Sequence, residues 1–212
     1  MWTAHPGDSL QTISSTLVII QVFPPETCAK FESIANRNLL SVNTLLRRNT
    51  DLSKIVWEVI KIFELNLRWH LDYVMSDFLN NPNWSQESKI FIPMHLSRRP
   101  QVSKKYQVVG LGFLCLLFSD RYHKTLWVPC LKDSIPSWMK TRRELHSRFL
   151  RLVQVRNRIA HHEIIYNYPL IEIIEFAQEL LVDINDFAAE EIRKGNYTET
   201  INKIRLGSGG GI

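Results

Sequence analysis

Apolar residues recur at spacings of three and four along most of the 212-residue chain, which is the periodicity of amphipathic helices. The polar segment Asn80–Asn83 contains a proline and predicts the end of the longest such run. That run begins at Asp51, and its apolar positions are Leu52, Ile55, Val56, Val59, Phe63, Leu67, Leu71, Val74, Met75 and Phe78.

The same pattern predicts four further helices. In chain order, the first, third, fourth and fifth helices extend from Glu26 to Asn49, from Ser103 to Arg121, from Ser137 to His161 or His162, and from Pro169 to about Gly195. Val108–Phe118, the centre of the third, is apolar on all sides and is expected inside the core. Trp127–Pro129 and Ile135–Pro136 are expected to bracket a short loop. The predicted fold class is therefore all-α, a bundle of about five helices.

Residues 1–25 form an N-terminal extension without a readable pattern, 26–206 a helical domain, and 207–212 a flexible glycine-rich tail. The apolar run Leu17–Phe23 lacks a preceding basic region and is too short to cross a bilayer, so neither a secretory signal nor a membrane partner is predicted. An odd number of widely spaced cysteines argues against a disulfide framework or a zinc site. They favour a reducing compartment, the cytoplasm, and are Cys28, Cys115 and Cys130.

Charge is divided sharply between two neighbouring segments. Between Ser137 and His162 there are seven Lys or Arg residues and one acid, whereas Glu163 to Ile192 holds eight acids and no Lys or Arg. Such a split predicts one face for a polyanion and another for solvent or a basic partner. The residues expected to contact RNA phosphates, or alternatively to form a solvated face, are Arg142, Arg143, Arg148, Arg151, Arg158 and His162.

The stretch Val155–Glu163 carries the candidate chemistry, because arginines and an amide precede two adjacent histidines there. Histidine exchanges protons near neutral pH, and the planar arginine fork matches phosphate oxygens. Together they suit cleavage of a phosphodiester without a metal or cofactor. The expected catalytic residues are Arg156, Asn157 and His161, with the Asn157 amide able to hold the imidazole one helical turn later.

Arg156 is expected in the middle of an apolar stripe, where it should face a cleft, an anion or another subunit. Arg156 and His161 diverge by roughly 140° on a regular helix, at about 100° per residue. A joint site then needs a helix break, the long reach of the arginine, or two protomers. The residues of that stripe are Leu145, Phe149, Leu152, Arg156 and Ile159.

Other catalytic patterns do not fit the chain. His161-His162-Glu163 does not have the HExxH zinc spacing, and Gly110-Leu111-Gly112 lies within an apolar helix without a third glycine at the required distance. Neither a P-loop nor a GxSxG nucleophile motif is present.

The string Arg156-Asn157-Arg158-Ile159-Ala160-His161-His162-Glu163 resembles the Arg-Asn-x-x-Ala-His-His motif of the Abi-like (abortive infection) branch of the HEPN ribonuclease superfamily. Phe63–Arg68 and the block from Gly112 to Pro129 are also similar to that branch, and the resemblance covers roughly residues 31–187. It implies a HEPN-like bundle and a metal-independent endoribonuclease, with His161 in proton transfer and Arg156 on the scissile phosphate. It further implies a homodimer whose two motifs meet in one cleft, active in phage defence or as a toxin. An antitoxin or regulatory RNA is a possible further partner.

Structural interpretations stand beside these. Arg156 can be a core residue paired with Glu64 or Glu144, and His161 can cap a helix C-terminus, where positive charge is favourable. The alternative function is a non-catalytic HEPN-like module that binds RNA or protein.

Overall fold

The computed structural model describes residues 23–84, 110–136 and 141–207, and these are all-α, without a strand. The predicted fold class is confirmed, with more helices than expected; the longest, of 37 residues, is longer than predicted, and the others are shorter. The α-helices are α1 (Pro25–Arg37), α2 (Val42–Phe78), α3 (Leu111–Leu116), α4 (Arg142–Ala160), α5 (Leu170–Ile184), α6 (Asp186–Lys194) and α7 (Tyr197–Leu206). None of these helices is long and apolar enough to cross a membrane.

The predicted break between the first two helices was placed wrongly, at residues 49–51. The chain turns at residues 38–41, where Leu39 has a left-handed φ of 54° and Ser41 caps α2 by accepting from the Thr44 N–H. Asn49 and Thr50 lie inside α2. The Thr50 Oγ1 donates to the Leu46 carbonyl of the same helix at 3.0 Å, and the Asn49 side chain bonds to a distant segment. These consecutive polar residues had suggested a break between two helices, but the helix continues through them.

Two other boundaries also differ. The residues expected to open a loop, Trp127–Pro129, lie in a π-helix, His123–Leu131, that follows a short 3₁₀ turn at Asp120–Tyr122. The predicted fifth helix is split, because the Asn185 side chain caps a new helix at Ala188 N and donates to Asn66 Oδ1 at 2.8 Å. A side chain that caps one helix and bonds another fixes a bend that helical periodicity does not reveal.

Some predicted features lie outside the described residues. These are residues 1–22 of the extension, residues 103–109 of the third helix, residues 137–140 at the predicted start of the fourth helix, and the tail at 208–212. Within the described part, Leu111–Leu116 is helical and mostly buried, as expected for the centre of the core, but the helix ends at Leu116 and not at Arg121 as predicted. The fourth helix begins later than predicted: α4 starts at Arg142, and its cap is Thr141 and not Ser137, because Thr141 Oγ1 accepts from Glu144 N at 3.1 Å.

An aromatic cluster centred on Phe149 packs α4 into the core. Its ring stacks on Phe118 at 4.9 Å between centroids and packs edge-on to Phe176 at 5.5 Å. Phe63 of α2 lies 5.8 Å away. Aromatic contacts at these distances add to the free energy of burial. The cluster therefore fixes α4 between α2 and α5.

Candidate functional site at the end of α4

The helix α4 ends in a Schellman turn formed by the two histidines. His161 is the C-cap residue, and its backbone N–H donates to the Asn157 carbonyl at 2.9 Å. His162 N donates to Ile159 O at 3.0 Å and Glu163 N to Arg158 O at 2.8 Å, which are the two bonds of this motif. Both imidazoles are exposed. The backbone thus holds both rings in solvent at the same end of the helix.

His162 occupies the position of this turn that usually belongs to glycine. Its φ is 56°, in the left-handed region that side chains with a Cβ rarely adopt. A residue held there against its preference is a reason to suspect function.

An ion pair closes the turn. Arg158 Nη1 lies 2.7 Å from Glu163 Oε2, and its guanidinium stands 4.8 Å from the centre of the Tyr168 ring. A Schellman turn often has an apolar contact between these two positions. Here opposite charges replace it, so Arg158, expected to contact RNA, is already engaged by the protein.

Asn49 of α2 holds the segment that follows the histidines. Its amide oxygen accepts from Ile165 N at 2.7 Å, and its amide nitrogen donates to the Glu163 carbonyl at 3.4 Å. It is the one buried polar side chain among the described residues. Arg205 of α7 adds a second brace by donating to the carbonyl oxygens of Tyr166 and Tyr168, at 2.9 and 2.5 Å. The chain path after His162 is therefore fixed from two helices.

Arg156 does not lie in the middle of the buried stripe, which corrects the expectation from spacing. Val155, 1% exposed, takes that place after Leu152, and Arg156 is half-buried at the edge. Its guanidinium stands 5.6 Å from the centre of the Trp57 ring, and Nη1 donates to Asn157 Oδ1 at 3.4 Å.

The structural alternative for Arg156 is also corrected. Within the described residues Arg156 makes no ion pair, because Glu64 pairs with Arg68 and Glu144 with Arg148. Arg156 instead opens onto a cleft of about 290 Å³ between α2 and α4. The cleft is lined by Trp57, Ile60, Lys61, Glu64, Leu65, Arg68 and Arg156.

Arg156 and His161 are not brought together within one protomer. The helix is regular up to Ala160, so Arg156 faces Trp57 on α2 while His161 follows the last turn and is not part of the cleft lining. Asn157 is exposed, and its amide oxygen accepts from Arg156 instead of holding the His161 ring.

Four of the five arginines of the predicted basic face already have acidic partners within the protein. Arg148 lies 3.4 Å from Glu179, and Arg151 lies 3.2 Å from Glu172, so α4 and α5 pair their charges. Arg142 is held by the Phe118 carbonyl at 2.8 Å and by Asp120 at 2.6 Å. Arg143 is exposed and forms no ion pair with the described residues. In the described part of the chain, no three His, Cys, Asp or Glu side chains come close enough to hold a metal.

Two residues of the site were missed by the sequence analysis, Asn49 and Trp57. Asn49 was taken as a helix end, and its partners lie 114 and 116 positions away. Trp57 could have been identified from the sequence, because it begins a row of residues spaced by four beside the buried stripe of α2: Trp57, Lys61, Leu65, Trp69 and Tyr73.

No family model, curated protein or solved structure matches this chain.

Proposed function

We propose that the protein is a metal-independent endoribonuclease of the HEPN type, with the end of α4 as its site. The observation that carries the proposal is that α4 presents two exposed histidines on a braced turn at its end and, less than two turns earlier, Arg156, which makes no ion pair within the described residues. Unpaired cations and titratable imidazoles are the groups that metal-free phosphodiester cleavage requires.

The reaction balances with these groups. The substrate's 2′-hydroxyl attacks the adjacent phosphorus while a His161 imidazole accepts its proton. The bond to the 5′-oxygen breaks, and an imidazolium returns a proton to that oxygen. The products are a 2′,3′-cyclic phosphate and a 5′-hydroxyl. Arg156 stabilises the negative charge that develops on the phosphate oxygens, and Asn157 orients the arginine through its amide oxygen.

The proposal includes a homodimer in the cytoplasm, acting in phage defence or as a toxin. Within one protomer Arg156 contacts Trp57 of α2, whereas His161 is the exposed C-cap residue of α4 and does not line the same cleft. A second copy related by a two-fold axis supplies the missing group at each phosphate. An antitoxin or regulatory RNA is the kind of partner that would control such an activity.

The alternative is a HEPN-like module that binds RNA or protein without cutting. It is favoured by the same separation of Arg156 from His161 if the protein is a monomer, because neither residue then completes a site.

The test is incubation of the purified protein with mixed RNAs in EDTA, beside His161→Ala and a control, His146→Ala, on the same helix. We expect cleavage that persists in EDTA and leaves ends carrying 2′,3′-cyclic phosphate or its 3′-phosphate product. The His161→Ala variant should lose this activity, and the His146→Ala control should keep it. Strict dependence on an added divalent ion would contradict the mechanism. Binding of RNA without any cutting would support the alternative.

A further inference from the structure

The cleft beside Arg156 has the composition of a nucleotide-binding subsite. Its floor is the side of α2, where Trp57 is 40% exposed and Leu65 is 53% exposed. Lys61 lies between them in the same row, one turn from each. Apolar side chains that are exposed close together, and not singly, are typical of binding surfaces. At about 290 Å³ the cleft is near the lower end of the size range of small-molecule sites.

The charges of the cleft leave two cations available. Glu64 is occupied by Arg68, and both side chains are more than four-fifths buried. Glu58, the other acid one turn from Lys61, hydrogen-bonds to the Tyr197 side chain. Within the described residues, neither Lys61 nor Arg156 forms an ion pair. The cleft therefore presents an aromatic ring flanked by two cations whose charges the protein does not neutralise.

A second cleft in the same molecule provides the contrast. It has about 300 Å³ between α4 and α5 and contains Arg148 and Arg151, but both are paired with Glu179 and Glu172. Glu175 adds a third acid to its wall. An anion would have to displace these carboxylates, so similar volume does not make the two clefts equivalent. Only the one beside Arg156 has an excess of positive charge.

We propose that the cleft of Trp57, Lys61, Leu65 and Arg156 binds one nucleotide of unpaired RNA. The base stacks on Trp57 and contacts Leu65, and the phosphate lies between Lys61 and Arg156. Aromatic stacking accepts any base, but it needs a base whose face is not covered by a neighbour in a duplex. The inference rests on the proposed function, because Arg156 is the residue assigned to the scissile phosphate. The nucleotide bound here is the one that adjoins the bond to be cut.

The test measures binding separately from cutting. A short single-stranded RNA with 2′-O-methyl groups lacks the nucleophile, so it binds without being cleaved, and fluorescence anisotropy gives its affinity. We expect Trp57→Ala to weaken binding about 5- to 150-fold, the range found for removal of one stacking side chain. Trp57→Phe should retain most of the affinity. Lys61→Ala should weaken binding and lower the salt slope by about one.

Two controls are matched to the arrangement of the molecule. Phe187→Ala removes an exposed aromatic residue of α6, and Arg151→Ala removes a cation of the second cleft; both should bind as the unchanged protein does. A duplex of the same sequence should bind more weakly than the single strand. Thermal unfolding of each variant shows whether a loss of RNA affinity comes from a loss of folding. If Trp57→Ala does not fold, Trp57→Phe still tests the ring, because it keeps an aromatic side chain at this position.

The outcomes separate this subsite from the ribonuclease itself. Unchanged RNA affinity in a folded Trp57→Ala variant overturns the subsite, whether or not the protein cuts RNA. Equal binding of duplex and single strand also overturns it. A Trp57→Ala protein that becomes monomeric by light scattering, with RNA affinity intact, would make this row a contact between protomers. Weak binding by Trp57→Ala and Lys61→Ala supports the subsite even if the natural RNA is never cleaved.

Discussion

The amide oxygen of Asn49 accepts a hydrogen bond from the backbone N–H of Ile165 at 2.7 Å. This bond joins α2 to the segment that follows His161 and His162, and the Asn49 side chain is buried. The end of α4 therefore depends on a residue that lies far from it in the sequence.

Replacing Asn49 with alanine should lower the free energy of unfolding by about 1–3 kcal/mol, since the buried Ile165 N–H loses its partner. Chemical denaturation measures this change. Thr50→Ala is the matched control: the neighbouring hydroxyl is exposed and bonds only its own helix, so about 0.5 kcal/mol or less is expected. Equal losses in the two variants would show that Asn49 is not a special anchor.

The role of Asn49 also shows where prediction from the sequence ends. Helical spacing identified most of the buried face of α2. Seven of its ten predicted positions are buried, Ile55 and Val74 are partly buried, and Phe78 at the end of the helix is 40% exposed. The buried seven are Leu52, Val56, Val59, Phe63, Leu67, Leu71 and Met75. Periodicity reports which side of a helix meets the core, not which polar atom on that side finds a partner. Asn49 was therefore predicted to be the last residue of a helix, and its hydrogen bonds could not be inferred from the local pattern.

Arg142 and Arg143 are adjacent in sequence but should respond differently to replacement. The Arg142 side chain is 12% exposed and donates to the Phe118 carbonyl at 2.8 Å and to His123 Nδ1 at 3.2 Å. Asp120, its ionic partner, is 93% exposed, so solvent screens that pair and the Phe118 bond is the larger contribution.

Arg142→Ala should lower the free energy of unfolding by about 1.5–3 kcal/mol, as for hydrogen bonds from charged groups. Arg143→Ala should stay within about 0.5 kcal/mol, as at most exposed sites. Thermal and urea unfolding compare the two variants.

Arg143→Ala also tests whether this face of α4 contacts RNA phosphates. If it does, the slope of log affinity against log salt concentration should fall by about one in the variant. An unchanged slope would show that Arg143 belongs to a solvated surface.

The basic segment of α4 shows a second limit of the sequence analysis. Its charge count was correct, and so was the count of acids after it, but both could only be read along the chain. Once α5 packs against α4, Glu172 and Glu179 reach Arg151 and Arg148 across the helices. Which basic residues remain without an acidic partner is decided by how the helices pack, and not by the number of basic residues in the sequence.

His162→Gly should raise the free energy of unfolding by roughly 0.5–1 kcal/mol. Relief of the left-handed backbone is worth about 1–2 kcal/mol and exceeds the added chain entropy of glycine, about 0.5–1 kcal/mol. His161→Gly provides the control, because its φ of −97° suits any residue and glycine there should destabilise the protein. Urea unfolding measures the stability of both variants. A His162→Gly protein that is less stable than the unchanged chain would show that the backbone at His162 is not strained.

His70 should make stability depend on pH. Its ring Nε2 donates to the Ser134 carbonyl at 2.8 Å, and burial lowers the pKa of the ring from its usual 6.5, although that hydrogen bond acts in the opposite direction. The unfolded chain then binds a proton more readily than the folded one as the pH falls below 6.5. The stability contributed by neutral His70 is thus present above that value and is lost on acidification.

Unfolding measured at about pH 7.5 and about pH 5 should show this loss, and His70→Gln should reduce it, since a glutamine amide can donate to Ser134 without titrating. His146 contributes in the same direction, because burial and the nearby Arg142 lower its pKa as well. The pH dependence should therefore shrink in His70→Gln and not vanish. No change in that variant would mean that His70 is protonated equally in both states.

The last prediction concerns Arg156, whose contact with Trp57 and proposed action on phosphate can be separated by substitution. Arg156→Ala should lower the free energy of unfolding by only about 0.5–1 kcal/mol, the value of an exposed cation–π contact. It should reduce cleavage by about 10²–10³-fold, as for loss of a group that stabilises the transition-state charge. Arg156→Lys keeps a cation near Trp57 but lacks the planar fork, so it should be stable and still cut poorly. Arg151→Ala, a cation of the same helix paired with Glu172, is the control and should cut normally.

Mixing two inactive variants tests whether Arg156 and His161 act from different protomers. Equal amounts of Arg156→Ala and His161→Ala copies, allowed to exchange subunits, form mixed dimers in which one of the two shared sites has an intact arginine from one chain and an intact histidine from the other. About a quarter of the unchanged activity should return, because about half of the dimers are mixed and half of their sites are complete. Light scattering at micromolar concentration verifies that dimers are present. Within a single protomer the regular helix up to Ala160 separates the two residues, so a mixture that stays inactive, or a monomer that cuts RNA at full rate, contradicts the shared site.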